Sequence, residues 1–289
     1  MGPLHIPVMG AEVMEHLAVR PGGIYLDATA GLGGHTRLIA ERLEGGLVIA
    51  SDRDGESLEI ARENTREWAE RIRYRQGSFS QLAKTLAACG VAQVDGLVAD
   101  LGVSRYQLTE GERGFSLQSD GPLDMRMNRT EGPTAAGIVN FEAEKALADL
   151  IYQLGEERRA RRIARAIVRA RPIRGTLHLA RVIEEAVPRT GRLHPATLTF
   201  MALRIAVNRE REELEALLES GPGLVAAGGR MVVITFMSTE DRAVKQGFQR
   251  LAREGRAQIL TKHVVKPAEK EVLENPASRS AKLRAVRMT

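Results

Sequence analysis

The sequence predicts an α/β, Rossmann-like fold interrupted by an all-helical insertion. Three observations predict it. Apolar runs of strand length alternate with amphipathic stretches over residues 24–101, as expected of a parallel sheet with crossover helices. The alternation then stops, and 136–187 carries three helical patterns, near 142–153, 156–170 and 176–187, with no strand pattern between them. It resumes with a long helical pattern over 195–219, an apolar run over 230–236, a helix over 240–253 and two short strands near 258–266 and 282–288. The expected division is a discontinuous α/β domain, 1–105 and 194–289, around an inserted lid and helical domain, 106–193.

The first strand, Ile24-Tyr25-Leu26-Asp27, runs into the glycine-rich turn Ala28-Thr29-Ala30-Gly31-Leu32-Gly33-Gly34-His35-Thr36. An amphipathic stretch over 37–43 follows, then the apolar run Leu47-Val48-Ile49-Ala50, which ends at Ser51-Asp52. Glycines let a backbone approach a ligand closely. A carboxylate ending the second strand can accept bonds from ribose hydroxyls. The third strand, over 72–77, alternates and ends at Ser78-Phe79; the fourth, over 94–99, ends at Asp100. Ligands of open α/β sheets bind outside the carboxyl ends of the strands. One edge therefore presents the glycine turn, Asp52, Phe79 and Asp100. Phe79 suits either an adenine face or the core. Asp100 is a poor candidate for a helix cap, because Leu101-Gly102-Val103-Ser104 does not read as a helix start.

The turn narrows the cofactor. The dinucleotide fingerprint wants a third glycine, and Thr36 stands in its place. No P-loop lysine follows. An acid before the loop, Asp27, with clustered glycines suits S-adenosyl-L-methionine, whose amino-acid end carries an ammonium and a carboxylate and which has no pyrophosphate.

Composition excludes several classes. At 43% apolar residues the chain can build a sizeable core, and no apolar run is long enough to span a bilayer. The N-terminus lacks the charged-then-apolar pattern of a secretory signal. Cys89 is the only cysteine, so no intrachain disulfide forms and a reducing, cytoplasmic setting is expected. The six histidines lack metal-ligand spacing, and no structural zinc is expected.

The formal charge is +5, unevenly spread. Arg158, Arg162, Arg165 and Arg169 recur at spacings of three and four and so share one helix face. Ile163, Ala166 and Ile167 make an apolar stripe beside it. The preference for arginine over lysine suits planar contacts to phosphate, so these four residues are expected to contact nucleic acid, the alternative being a solvated surface face. Aromatics are only 4%, so no stacking platform is evident. Residues 102–135, rich in Gly, Asp, Arg and Met, read as a long ordered loop or lid.

Asp27-x-Thr29-x-Gly31-x-Gly33-Gly34-His35 resembles the cofactor loop of the bacterial RsmH/MraW methyltransferases, which methylate the exocyclic N4 of a cytidine in 16S ribosomal RNA of the small subunit. So do Asp52-Arg53-Asp54, Asp100-Leu101-Gly102-Val103-Ser104 with Gln107-Leu108, Gly111-Glu112-Arg113-Gly114-Phe115-Ser116, Asp120-Gly121-Pro122-Leu123-Asp124-Met125-Arg126-Met127, Val207-Asn208, Glu240-Asp241-Arg242 and Glu274-Asn275-Pro276. The matches run from His5-x-Pro7-Val8 to Arg279-Ser280. The resemblance implies a Rossmann-like methyltransferase fold with S-adenosyl-L-methionine contacts from Gly33, Gly34, His35, Asp52, Phe79, Asp100 and Gln107. It makes Asp100 the catalytic candidate. The lid and helical domain would grip the RNA, and the target base would leave its stack to reach the pocket. The chain departs from the family at Ala28, where glycine is common, and at Met237, where histidine is common. A histidine base at that place is excluded. The segment before Glu274 is also short.

Overall fold

The computed structural model describes residues 6–189, 191 and 193–289; His5 of the first motif lies outside them. The chain divides into two compact units, 1–102 with 211–289, and 103–210. Among the described residues no helix is long and apolar enough to cross a membrane.

The first unit opens with α1 (Gly10–Leu17), β1 (Ile24–Asp27), α2 (Gly34–Ala40), β2 (Leu47–Asp52), α3 (Gly55–Asn64), β3 (Ile72–Gln76), α4 (Leu82–Ala87) and β4 (Val94–Asp100). The second holds α5 (Arg105–Thr109), α6 (Ala135–Phe141), α7 (Glu144–Gly155), α8 (Ala160–Arg169), α9 (Thr176–Ala186) and α10 (Thr197–Asn208). The chain returns through α11 (Glu210–Leu224) to β5 (Val225–Thr235), α12 (Ser238–Arg253), β6 (Ala257–Ile259), α13 (Glu269–Glu274) and β7 (Lys282–Met288).

The seven strands lie in the order β3-β2-β1-β4-β5-β7-β6. The first five are parallel, and β7 runs antiparallel to both neighbours. Side-chain alternation splits the core into two faces. Tyr25, Val48, Ala50, Val98 and Val232 meet α1, α2 and α3 through Val13, Ile39 and Leu58. Leu26, Ile49, Leu97 and Val233 meet α4, α11 and α12 through Leu86, Leu217 and Phe248. Burial on both faces explains why these strands read as continuous apolar runs. Strand order reverses between β1 and β4, and that switch point is where such sheets bind ligands.

The continuous helical pattern over 195–219 is two helices. Arg209 adopts left-handed φ 50° between α10 and α11, and Arg204 pairs with Glu210 across the break at 2.8 and 2.9 Å. Asn208 causes the stop. Its buried amide donates to Met125 O at 2.7 Å and accepts from Met127 N at 2.8 Å, holding the end of α10 on the preceding loop. The unit boundary falls here, so α10 belongs with the helices and not with the α/β part as its position after 194 led one to expect. Phe200, Leu203 and Val207 join the helical core.

Residues 111–127 form no free-standing lid. Phe115, Leu123, Met125 and Met127 are buried in that same core. The buried Arg113 guanidinium donates to the carbonyls of Arg126 and Met127 at 3.1 and 3.0 Å. Gly114 has φ 75°, and a Cβ there would sit 2.2 Å from Pro122 O, so no other residue fits. The short α6 is an element that the helical periodicity did not reveal; Thr134 caps it by accepting from Gly137 N at 3.1 Å.

Candidate functional site

The glycine loop joins β1 to α2 at the switch point. Gly31 and Gly33 have φ 50° and 90°. A Cβ on Gly33 would lie 2.9 Å from Thr65 Cγ2 and 3.3 Å from Ala61 Cα, so the loop packs tightly on α3. Thr36, where a dinucleotide fold has glycine, donates its hydroxyl to Asp27 Oδ2 at 2.7 Å. Asp27 is fully buried and also accepts from Thr29 N at 3.2 Å. Its role is an internal brace of the loop.

His35 is buried as well. Its ring Nε2 lies 2.9 Å from Val8 O. A carbonyl only accepts, so Nε2 carries the proton. Burial pushes the imidazole below its ordinary value, while the same burial pushes Asp27 up. The His35 ring thus serves the fold, and what the loop presents outward is backbone. Two further side chains hold the same N-terminal segment. Glu271 Oε1 accepts from Met9 N at 2.6 Å, and Asn275 Nδ2 donates to Ile6 O at 3.3 Å. The segment 6–9 is therefore strapped beside the loop from both ends of the chain. Sequence reasoning missed Glu271, and no local signal could find a contact across 262 residues.

Asp52 ends β2. Its Oδ2 accepts from Gly31 N and its Oδ1 from Asp54 N, both at 2.8 Å. Each carboxylate oxygen keeps a lone pair for a ligand hydroxyl. Burial, with Asp54 and Asp27 nearby, pushes Asp52 up to about 6. Phe79 opens a 3₁₀ turn after β3, steadied by the reciprocal Ser78–Gln81 cap. It is half-buried, packed against the Leu82 and Leu86 layer.

Asp100 ends β4, with its N–H donating to Thr29 Oγ1 at 2.6 Å. Its Oδ1 is buried and has no hydrogen-bond partner among the described residues. Burial pushes this carboxyl well above its ordinary range, and Asp27, Glu240 and Glu271 add like-charge repulsion. Glu240 itself caps α12, accepting from Phe236 N and Met237 N at 3.0 Å. Asp241 forms a bidentate pair with Arg284 at 2.7 and 3.1 Å.

An orphaned buried carboxylate oxygen is rare and suits a cation or an N–H donor. With the close-approach loop and the open lone pairs of Asp52, the donor set fits a nucleoside cofactor that carries positive charge. Among the described residues no group of three or more His, Cys, Asp or Glu side chains could hold a metal ion.

Gly33, Gly34, His35, Asp52, Phe79 and Asp100 thus gather at one sheet edge. Gln107 lies in the helical unit, at the third position of α5. Its Oε1 accepts from Ser104 N at 3.0 Å while Ser104 Oγ accepts from Gln107 N at 3.2 Å. Arg162, Arg165 and Arg169 are exposed on α8, and Arg158 is exposed just before it. Ile163 and Ile167 are buried beneath. Arg161 is exposed too; its four-residue spacing to Arg165 was the signal that could have included it.

A family model described as the MraW methylase family matches residues 3–289. The chain is 64% identical over 285 residues, covering 99% of it and 100% of the relative, to the ribosomal RNA small subunit methyltransferase H of Solibacter usitatus. The proteins of the same name from Geobacter sulfurreducens (97% of each chain covered) and Koribacter versatilis (97% of this chain, 93% of the relative) are 50% and 48% identical. The chain belongs to the MraW methylase family.

Proposed function

We propose that this protein transfers a methyl group from S-adenosyl-L-methionine to the exocyclic N4 of a specific cytidine in 16S ribosomal RNA. The observation that carries the reading is the partnerless Asp100 oxygen beside a close-approach glycine loop, in a chain of this family. The relatives' shared name supports the ribosomal substrate. Bound at this edge, the cofactor would supply an electrophilic sulfonium methyl.

The chain's own groups do the rest. The loop around Gly33 and Gly34 offers backbone to the cofactor, Asp52 accepts from its ribose hydroxyls, and Phe79 packs on its adenine. The cytosine amino group is a poor nucleophile because its lone pair is delocalised into the ring. An acceptor for its N–H favours a more pyramidal nitrogen, and Asp100 is placed to be that acceptor. Much of the rate comes from holding the two reactants in line. Arg158, Arg162, Arg165 and Arg169 hold RNA phosphates, and an enzyme acting on ribosomal RNA works in the cytoplasm.

The test uses purified protein with isotope-labelled donor against 16S RNA, assembled small subunits, DNA and free cytidine. Labelled N4-methylcytidine should appear only from a ribosomal substrate. Mass spectrometry of ribosomal RNA nucleosides should show the mark lost when the gene is deleted; an unchanged nucleoside profile refutes the reading.

A further inference from the structure

Phe141 is 87% exposed, the most exposed large apolar side chain among the described residues. The helix periodicity puts it there. Ala135, Ile138 and Val139 form the buried stripe of α6, and position 141 falls outside it. An exposed phenylalanine on a mobile tail would need no explanation. This one is clamped. Arg171 donates from Nε to Val139 O at 2.8 Å and from Nη2 to Glu142 O at 2.5 Å. Asn140 and Ile173 exchange two bonds, at 3.1 and 2.7 Å. Two hydrogen bonds thus hold the backbone on either side of a ring left in water, and two more hold the neighbouring Asn140 side chain.

The same contacts tie the turn that carries the ring to the segment that follows the arginine face. Arg171 follows Arg169 by two residues, and Arg165 reaches Glu144 at 3.5 Å, three residues beyond Phe141. The C-terminal half of α8, with exposed Arg165 and Arg169, therefore borders the clamped turn. An exposed aromatic on a clamped turn, with exposed arginines on the neighbouring helix, matches an unpaired nucleotide: a base face for the ring and a phosphate for the cations. We propose that Phe141 is a stacking seat for an unpaired base of the RNA whose phosphates meet Arg165 and Arg169. The proposal rests on the ribosomal RNA reading above and adds a contact the low aromatic content argued against.

The test is binding of a mixed-sequence single-stranded RNA 12-mer, and of the same strand in a duplex, to the full-length protein. Phe141→Ala should weaken single-strand binding about 5- to 150-fold, the range that one lost stacking contact gives, and leave the salt slope unchanged, because no phosphate contact is lost. Phe141→Trp should bind as the wild type. Melting temperatures should coincide, since the side chain is 87% exposed. Unchanged RNA affinity in Phe141→Ala overturns the proposal. So does a variant whose only defect is lost self-association in sedimentation, or lost binding to assembled particles with naked RNA unaffected; the seat would then serve a protein. Wild-type protein that methylates no ribosomal RNA removes the functional reading and this seat with it. Wild-type methylation with an indifferent Phe141→Ala removes the seat alone.

Discussion

The backbone N–H of Asp100 donates to the hydroxyl of Thr29 at 2.6 Å, so the glycine loop and the end of β4 are one rigid piece. The loop's other ties point the same way. Gly31 N–H reaches Asp52, and Thr36 reaches Asp27. Three strand ends are thereby fixed relative to a single turn, which keeps the groups of the site within the tolerance that positioning demands.

Thr29→Val tests that coupling. It keeps the side-chain shape and removes the acceptor, leaving a half-buried N–H without its bond, at a cost of about 1 kcal/mol in stability. Affinity for S-adenosylhomocysteine should fall several-fold with it, and Thr29→Ser should restore both. Calorimetry and a melting curve on each variant decide. A Thr29→Val protein that binds the ligand as the wild type does shows the bond to be dispensable for the pocket.

Asp52 gives a pH prediction. In the free protein its carboxyl titrates at about 6, raised from 3.8. The folded chain therefore holds a proton that the unfolded chain releases across that window. The stability this group contributes is present below about 3.8 and lost as pH rises toward 6. A ligand that bonds the ionised form must expel that proton. Affinity should fall as pH drops below 6, and calorimetry near pH 6 in buffers of different ionisation enthalpy should detect proton release. Asp52→Asn should abolish the release and weaken binding by roughly 1.5–3 kcal/mol, the range for a bond to a charged group. Equal affinity in the variant removes Asp52 from the site.

Much of this edge was legible because β1, β2 and β4 are apolar runs closed by an aspartate, and the alternating β3 is followed by Ser78-Phe79. Asp52, Phe79 and Asp100 stand out against Val48–Ala50 and Leu97–Ala99 for that reason. What stayed hidden depends on contacts that periodicity does not encode. No glycine or proline marks the break at Arg209; the stop comes from Asn208 bonding a loop some eighty residues earlier. The strap made by His35, Glu271 and Asn275 joins the two ends of the chain. Thr36 looked like a defect in a fingerprint and is the partner of Asp27. Phe141 was invisible because one exposed ring in a chain with 4% aromatics forms no pattern.

Asp100→Ala should lower turnover by far more than it changes stability. The side chain has a buried oxygen without a partner among the described residues, so its removal relieves a desolvated group and the melting temperature should hold or rise. Single-turnover methylation should drop at least tenfold. A variant that methylates at the wild-type rate excludes this carboxylate from both the amine and the cofactor.

The arginine face should act on RNA and leave the cofactor alone. Replacing Arg162, Arg165 and Arg169 with glutamine keeps helix propensity nearly intact. The three side chains are exposed, and the buried stripe of Ile163, Ala164 and Ile167 is untouched. Up to three phosphate contacts would be lost, so RNA affinity should fall and the dependence of log K on log salt should become shallower by roughly two to three. Affinity for S-adenosylhomocysteine should not move, because Gly33, Asp52 and Asp100 belong to the other unit. A solvated face with no ligand predicts something else: binding and its salt slope stay as they are. Filter binding at several salt concentrations, with a melting curve on the same sample, separates the two. An unchanged slope in a triple variant that melts normally sinks the phosphate-contact reading and leaves α8 as solvated surface.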